Sequence, residues 1–339
     1  TISVLFLYDA AKKILKKKYL SVAVACVYAV LIAFFGYTEN ILTESLATSL
    51  MCVMLWCITQ VIEASSKRLY IIISCAMVLL CIFERPSFLF LLPLLAVFFT
   101  VFIVWERRWD LIKCVVISFG VCLLVVFAYC KHNEALTGHF MLSNIAYYNQ
   151  ISIMLDNDMW MNSKYPEISF EAQQRVKHNE QNENGLASAE ELCARFGYKE
   201  MSEYLKDCRK IYRKRYVKTI LSHSALEEPV IDLYMSDKIV GRNRQFIFEI
   251  IRTSFLPFSY ATMLIFIVIE LIYGFAIWIR EKRLVYMSFG IPGCLLGIYV
   301  TSVISLFGAK LQRYAIHMLP LLVLLIAMEI DHLLKQLEK

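Results

Sequence analysis

A few ionisable residues interrupt long apolar runs, and their types set the chemistry open to this chain. Glu84-Arg85-Pro86-Ser87 opens an apolar stretch that extends to residue 105. Proline is favoured in the first turn of a helix, where its missing amide hydrogen removes no bond. A helix start presents free N–H groups and the positive end of the helix dipole, and both favour an anion. Arg85 adds a planar donor fork that matches phosphate oxygens. Together these residues describe a phosphate-sized site; the plainer reading is an interfacial arginine paired with Glu84 or with lipid headgroups. Thr38-Glu39-Asn40-Ile41-Leu42-Thr43-Glu44-Ser45 sets two carboxylates around another helix start. Carboxylates bind sugar hydroxyls, act as bases or hold a metal, and acids are also simply favourable at a helix N-terminus.

Lys310-Leu311-Gln312-Arg313-Tyr314 precedes the last apolar run, which contains Pro320. This is again a cation at a helix start, either a binding residue or an interfacial anchor. Glu270 lies near the middle of an apolar run over residues 254–279. An acid at that depth is costly and marks either function or a protonated group bonded to a neighbouring helix. His139, in Thr137-Gly138-His139-Phe140 and followed by Asn144, Tyr147 and Tyr148, opens the longest polar stretch. A loop histidine serves as a proton carrier or is merely solvated.

The elements that hold these residues follow from composition. Of the 339 residues 59% are hydrophobic and 19% charged, with a mean hydropathy of +0.57. The charge is gathered in short clusters and one long block, between apolar runs of about twenty residues, the length a helix needs to cross a bilayer core. In lipid every backbone amide must be paired within its own segment, so such runs are helices. Spans are expected at about 1–11 (partial), 19–36, 41–62, 69–83, 87–105, 111–130, 254–279, 284–308 and 314–330: an all-α polytopic membrane protein with eight full spans and one partial. The chain opens on Thr1, and the run Thr1–Ala11 stops at Lys12-Lys13, which reads as a chain beginning partway through a helix. The net charge of +6 does not point to nucleic acid, because the basic residues cap apolar runs instead of forming one face. No CxxC pair exists among the eleven cysteines, so a zinc site is not called for; no cofactor is evident, and a divalent-metal requirement stays open.

Orientation follows from lysine and arginine in short loops. One set of alternate loops, around residues 12–18, 67–68, 107–113, 280–283 and 335–339, holds fifteen; the opposite set holds three, Arg85, Lys310 and Arg313. The first set is cytoplasmic, which makes residues 1–130 N-terminal membrane helices, 131–253 an extracytoplasmic block and 254–339 C-terminal membrane helices. Within the block, Ser188-Ala189-Glu190-Glu191 has capping-box form and starts a short helix ended by Gly197. From about Lys199 to Leu221 apolar residues recur at helical spacing opposite Lys206, Arg209, Lys210, Arg213, Lys214 and Arg215. Such a helix lies on anionic headgroups or packs over the membrane domain. Residues 156–187 read as loop-rich, and Cys193 and Cys208 are placed to pair if the block is extracytoplasmic.

Three of these segments resemble the GT-C superfamily of polytopic transferases, closest to the protein O-mannosyltransferase and lipid A aminoarabinose transferase type. Tyr37–Ala47 looks like the family's acidic helix start. Phe83-Glu84-Arg85-Pro86-Ser87 looks like its Arg-Pro segment entering a leucine-rich helix. Gln312–Pro320 looks like its Arg-Tyr start of a late helix, and Thr137–Ser143 is similar, more weakly, to a family loop. The likeness is spread over residues 1–155 and 254–330.

The resemblance implies transfer of a sugar from a polyprenyl-phosphate carrier to a glycan, lipid or protein acceptor at the outer face of a bacterial plasma membrane. It implies that Arg85, and secondarily Arg313 with Tyr314, bind the departing phosphate, and that Glu44 with Glu39 positions sugar or acceptor. His139 and Glu270 are further candidates. Family members carry the acidic catalytic residue on a large loop after their first helix; this chain is expected to start beyond that loop, so none of its residues takes that role. A transporter or flippase of lipid-linked saccharides, and a surface-polysaccharide polymerase or ligase, are the rival readings.

Overall fold

A computed structural model describes residues 2–15, 17–34, 43–63, 66–182, 185–225, 260–281, 290, 293 and 319–338. Among them the protein is all-helical, without a strand. The helices are α1 (Ile2–Leu15), α2 (Lys18–Phe34), α3 (Thr43–Glu63), α4 (Lys67–Glu84), α5 (Leu91–Trp105), α6 (Ile112–Thr137), α7 (Ile145–Asp156), α8 (Pro166–Asn182), α9 (Gly185–Phe196), α10 (Tyr198–Ile211), α11 (Arg213–Ala225), α12 (Tyr260–Glu281) and α13 (Leu319–Leu337). Among the described residues three helical stretches are long and apolar enough to cross a membrane: Leu46–Glu63, Phe88–Trp105 and Trp109–Thr137. The expected span over 284–308 lies outside the described residues, apart from Gly290 and Gly293. The described residues divide into two compact units, one formed by α1–α5, the first part of α6, α12 and α13, the other by the rest of α6 and α7–α11.

In the first unit α1, α2 and α3 pack together, α3 and α4 form a hairpin, and α13 lies on α1–α3. The α3–α4 turn is closed by Lys67, whose Nζ donates to the carbonyls of Val61 (2.8 Å) and Ile62 (2.7 Å). These are acceptors that the last turn of α3 leaves open, and a cation is favourable at the negative end of the dipole. The same Nζ stands 5.1 Å from the Phe102 ring centroid, which draws the end of α5 to the turn. Polar side chains inside the apolar helices are satisfied locally: Ser74 donates to the carbonyl of Tyr70 and Thr100 to that of Ala96, as buried hydroxyls require. Asp9 of α1 accepts from Trp56 Nε1 (2.8 Å) and Gln60 Nε2 (3.1 Å) of α3.

The second unit has a core of the kind found in water-soluble helical proteins. Ile151, Leu155, Ile168, Ala172, Leu192, Met201, Tyr204 and Cys208 are all buried there. Each fully buried large side chain contributes about 1.5–3 kcal/mol. Three sequence expectations change here. The stretch 156–187 contains the 17-residue helix α8, which was missed because its inward face consists mainly of Ile168, Ala172 and Val176 at i, i+4 spacing. The single helix expected over 199–221 is two, α10 and α11, separated at Tyr212 (φ −100°, ψ 23°). The apolar side of α10, Met201, Tyr204, Leu205 and Cys208, is buried in the unit's own core. The expected helix end at Gly197 is present, with φ +78°, a left-handed conformation that side-chain-bearing residues resist; the helix itself starts at Gly185, ahead of the capping box.

Cys193 and Cys208 are both free thiols buried in this core. Burial pushes the Cys193 thiol up to about 12, so it stays protonated and inert. Ion pairs tie the surface of the unit together. Glu171 of α8 meets Arg175 (3.0 Å) and Arg195 of α9 (2.7 Å), and Glu191 of α9 also meets Arg175.

Candidate functional site

Arg85 stands where two apolar helices meet. The chain leaves α4 there with extended backbone (φ −144°, ψ 112°), and Pro86 starts a 3-10 turn, Pro86–Phe90, that runs into α5. The break follows from the sequence: proline disfavours helical backbone in the residue before it and is suited to a first turn. Local bonds hold the junction, with Arg85 N–H donating to Cys81 O (2.8 Å) and Phe88 N–H to Arg85 O (2.9 Å). The residue is only 9% exposed, and its side chain is engaged within the protein. A guanidinium is tolerated at such burial only with compensating partners. Beside it, Glu84 buries its Oε1 where no hydrogen-bond donor among the described residues meets it.

The α3–α4 hairpin relates this junction to the first acidic segment. Trp56 of α3 and Tyr70 of α4 meet edge to face at 5.5 Å, and the turn between Glu63 and Lys67 is short. Continued at about 1.5 Å per residue on both arms, this register brings the first turn of α3, which carries Glu44, to the same end of the hairpin as Glu84 and Arg85. Glu44 falls in α3, with only its backbone described. Glu39, Arg313 and Tyr314 lie outside the described residues.

His139 belongs to a different arrangement, inside the second unit. It follows Gly138 (φ +73°), whose N–H bonds Glu134 O at 2.8 Å and ends α6. Asn133 Nδ2 donates to the carbonyls of Met141 (3.0 Å) and Leu142 (3.2 Å) and holds the turn against the helix. His139 Nε2 lies 2.9 Å from the Tyr147 hydroxyl, which donates to Ser202 Oγ at 2.9 Å. Next to this chain, Asn144 Nδ2 donates to the hydroxyls of Tyr148 (3.0 Å) and Tyr198 (3.3 Å), which bond each other at 2.6 Å. Burial, together with the Tyr198 hydroxyl, raises the Tyr148 phenol above its ordinary value. This network ties the turn after α6 to α7 and α10. Tyr198 and Ser202 were not legible in advance, because they sit some fifty residues from their partners.

Glu270 is 9% exposed on α12, with Glu329 of α13 near it. Glu329 was overlooked although the signal was present, since it too is an acid inside an expected span. His332, one turn further along α13, is 3% exposed and meets Tyr273 of α12 edge to face at 5.8 Å. Among the described residues no group of three metal-binding side chains converges. No known family, curated protein or solved structure matches the chain.

Proposed function

We propose that this chain is a multi-pass membrane glycosyltransferase that moves a sugar from a polyprenyl-phosphate carrier to an acceptor at the outer membrane face. On this reading eight full spans and one partial cross a bacterial plasma membrane, and the 131–253 block is extracytoplasmic. The observation that carries the proposal is the burial of Arg85 at a helix junction, with Glu84 beside it and the start of α3 at the same end of the hairpin. A guanidinium in a partly water-excluded junction acts on a phosphate far more strongly than one in water. As the bond between anomeric carbon and phosphate oxygen breaks, negative charge gathers on the departing carrier phosphate. Arg85, assisted by Arg313 and Tyr314, stabilises that charge, and Glu44 with Glu39 holds sugar or acceptor hydroxyls.

The test is sugar transfer by the full-length protein in membrane vesicles. Arg85→Ala is expected to lower transfer on the order of a hundredfold, and Arg85→Lys to recover only part of it, because a lysine lacks the two-pronged donor. Undiminished transfer by a properly inserted Arg85→Ala protein overturns the assignment. The rival reading, a transporter or flippase of lipid-linked saccharides, draws its support from the acids on α12 and α13, since intramembrane acids are typical of transport pathways. Carrier flux without a new glycosidic bond is its signature.

A further inference from the structure

Between Lys206 and Lys218 seven lysines and arginines stand against one acid, Asp207, an excess of six. The whole chain carries a net charge of +6, so the rest of the sequence balances to neutrality. The second unit therefore gathers the protein's entire charge imbalance on the end of α10 and the start of α11, and the proposed sugar transfer makes no use of it.

The nearby acids do not neutralise this surface. Asp207 meets Lys164 at 2.9 Å, and Asp158 meets Arg215 at 3.5 Å. Arg209 donates to Gln150 Oε1 and lies over the Tyr216 ring. Lys210, Arg213, Lys214 and Lys218 are exposed and form no ion pair among the described residues. On α11 they fall in two adjacent i, i+4 rows, Arg213 with Val217 and Lys214 with Lys218, while Thr219 is buried and Tyr216 half-buried. Tyr212 N–H donates to Cys208 O and Tyr216 N–H to Tyr212 O, both at 2.8 Å. Helical bonding thus continues through the break at Tyr212, and Lys210 and Ile211 directly precede the two rows. Ile211 is 56% exposed and Val217 47%, so two aliphatic side chains stand open among the cations.

We propose that this surface docks on an anionic bilayer, with Lys210, Arg213, Lys214 and Lys218 on headgroup phosphates and Ile211 and Val217 at the acyl boundary. Opposite charge and interleaved aliphatic side chains suit that interface. The bilayer is also close at hand. Trp109–Thr137 is long and apolar enough to cross it, the part of that stretch from Leu124 onward belongs to the second unit, and α7 begins at Ile145, soon after α6 ends. A tethered surface meets headgroups at high effective concentration, so weak contacts suffice; an acidic protein would have to arrive from solution. Because the apolar side of α10 is spent in the unit's core, the contact is made by charge and not by insertion of that helix. The inference rests on α6 crossing a membrane and not on sugar transfer.

The experiment uses the full chain reconstituted into vesicles of phosphatidylcholine alone or with phosphatidylglycerol added. A membrane-impermeant hydroxysuccinimide ester of acetic acid acetylates accessible lysines, releasing hydroxysuccinimide, and peptide mass spectrometry reads each site. Lys199 is the internal reference: it is exposed in the first turn of α10, about 16 Å along the helix from Lys210. Labelling of Lys210, Lys214 and Lys218 relative to Lys199 is expected to fall on the order of threefold when phosphatidylglycerol is present, and to recover in high salt. Replacing Arg213→Gln together with Lys214→Gln is expected to remove most of the protection at Lys218 while Lys199 labels as before. Equal labelling in the two kinds of vesicle overturns the proposal, with no variant needed. Protection that survives high salt, or that the double variant leaves intact, also overturns it. So does protection by glycerol phosphate added to phosphatidylcholine vesicles, which marks a site for free phosphate, and so does protection found in native membranes but in neither vesicle, which marks a protein partner.

Discussion

Ile117 on α6 and Phe170 on α8 are exposed to nearly the same degree, 66% and 61%, yet the two positions belong to regions built on opposite rules. Around Ile117 the exposed surface is continuous hydrocarbon: Val116, Val121, Leu123 and Leu124 are exposed as well, and only 17% of this span is buried inside the protein. Around Phe170 the exposed neighbours are polar, Glu167 and Gln174. A lone exposed apolar residue on a polar surface is ordinary, whereas a long unbroken apolar face needs a nonpolar solvent. Fractional exposure therefore does not say what a side chain faces; its neighbours do. The second unit buries tyrosines with their hydroxyls satisfied and leaves its charges outside, while the first leaves its apolar residues outside and gathers its charges at helix ends and in a few internal pairs.

Five substitutions would break or sharpen this contrast. The largest effect is expected in the second unit, where Tyr204 is fully buried, meets Tyr165 edge to face at 5.7 Å, and donates to the Trp160 carbonyl. Tyr204→Ala should destabilise the unit by about 3–5 kcal/mol, seen as loss of protease resistance across 145–225 at lower urea, with Ile117→Ala near neutral in the same assay. A matched pair of charge insertions comes next. Ile117→Arg should cost about 2.5–3.5 kcal/mol of membrane insertion, read by glycosylation mapping or alkaline extraction. Phe170→Arg should change the stability of its unit by less than about 0.5 kcal/mol. Equal tolerance of the two would dissolve the distinction.

The smallest effect concerns surface charge. Lys164 sits 2.9 Å from Asp207 and holds its carboxyl below the usual aspartate range. A carboxylate with a depressed folded value adds stability that is present above its unfolded value and lost as pH falls through the folded one. Asp207→Asn should therefore narrow a small stability difference between neutral and acidic buffer, and high salt should erase it, because the pair is exposed. A large effect that persists in high salt would mean that the second unit depends on its surface charge more than its core suggests.

Much of the first unit was readable in the chain. The apolar runs at 41–62, 69–83 and 87–105 became α3, α4 and α5 to within a few residues, because a run of that length can satisfy its backbone only as a helix. The Arg85-Pro86 junction was equally local, since proline acts on the residue before it. α8 was not readable: its face is narrow, and the packing that stabilises it is provided by the flanking helices α7 and α9, whose approach its own residues do not signal. The same limit applies to the polar clusters. His139 and Glu270 were visible as residues out of place, but Ser202 and Glu329, which give each its role, are separated from them by long stretches of chain.

Composition, spacing and the two glycines after α6 and α9 thus determined where helices run and stop, because those choices depend on backbone bonding within a few residues. The tertiary structure alone decided that the apolar face of α10 turns into its own unit and that Glu270 and Glu329 come near each other across α12 and α13. Each of these depends on which helix faces come together, a matter of side-chain packing between elements that no local pattern encodes.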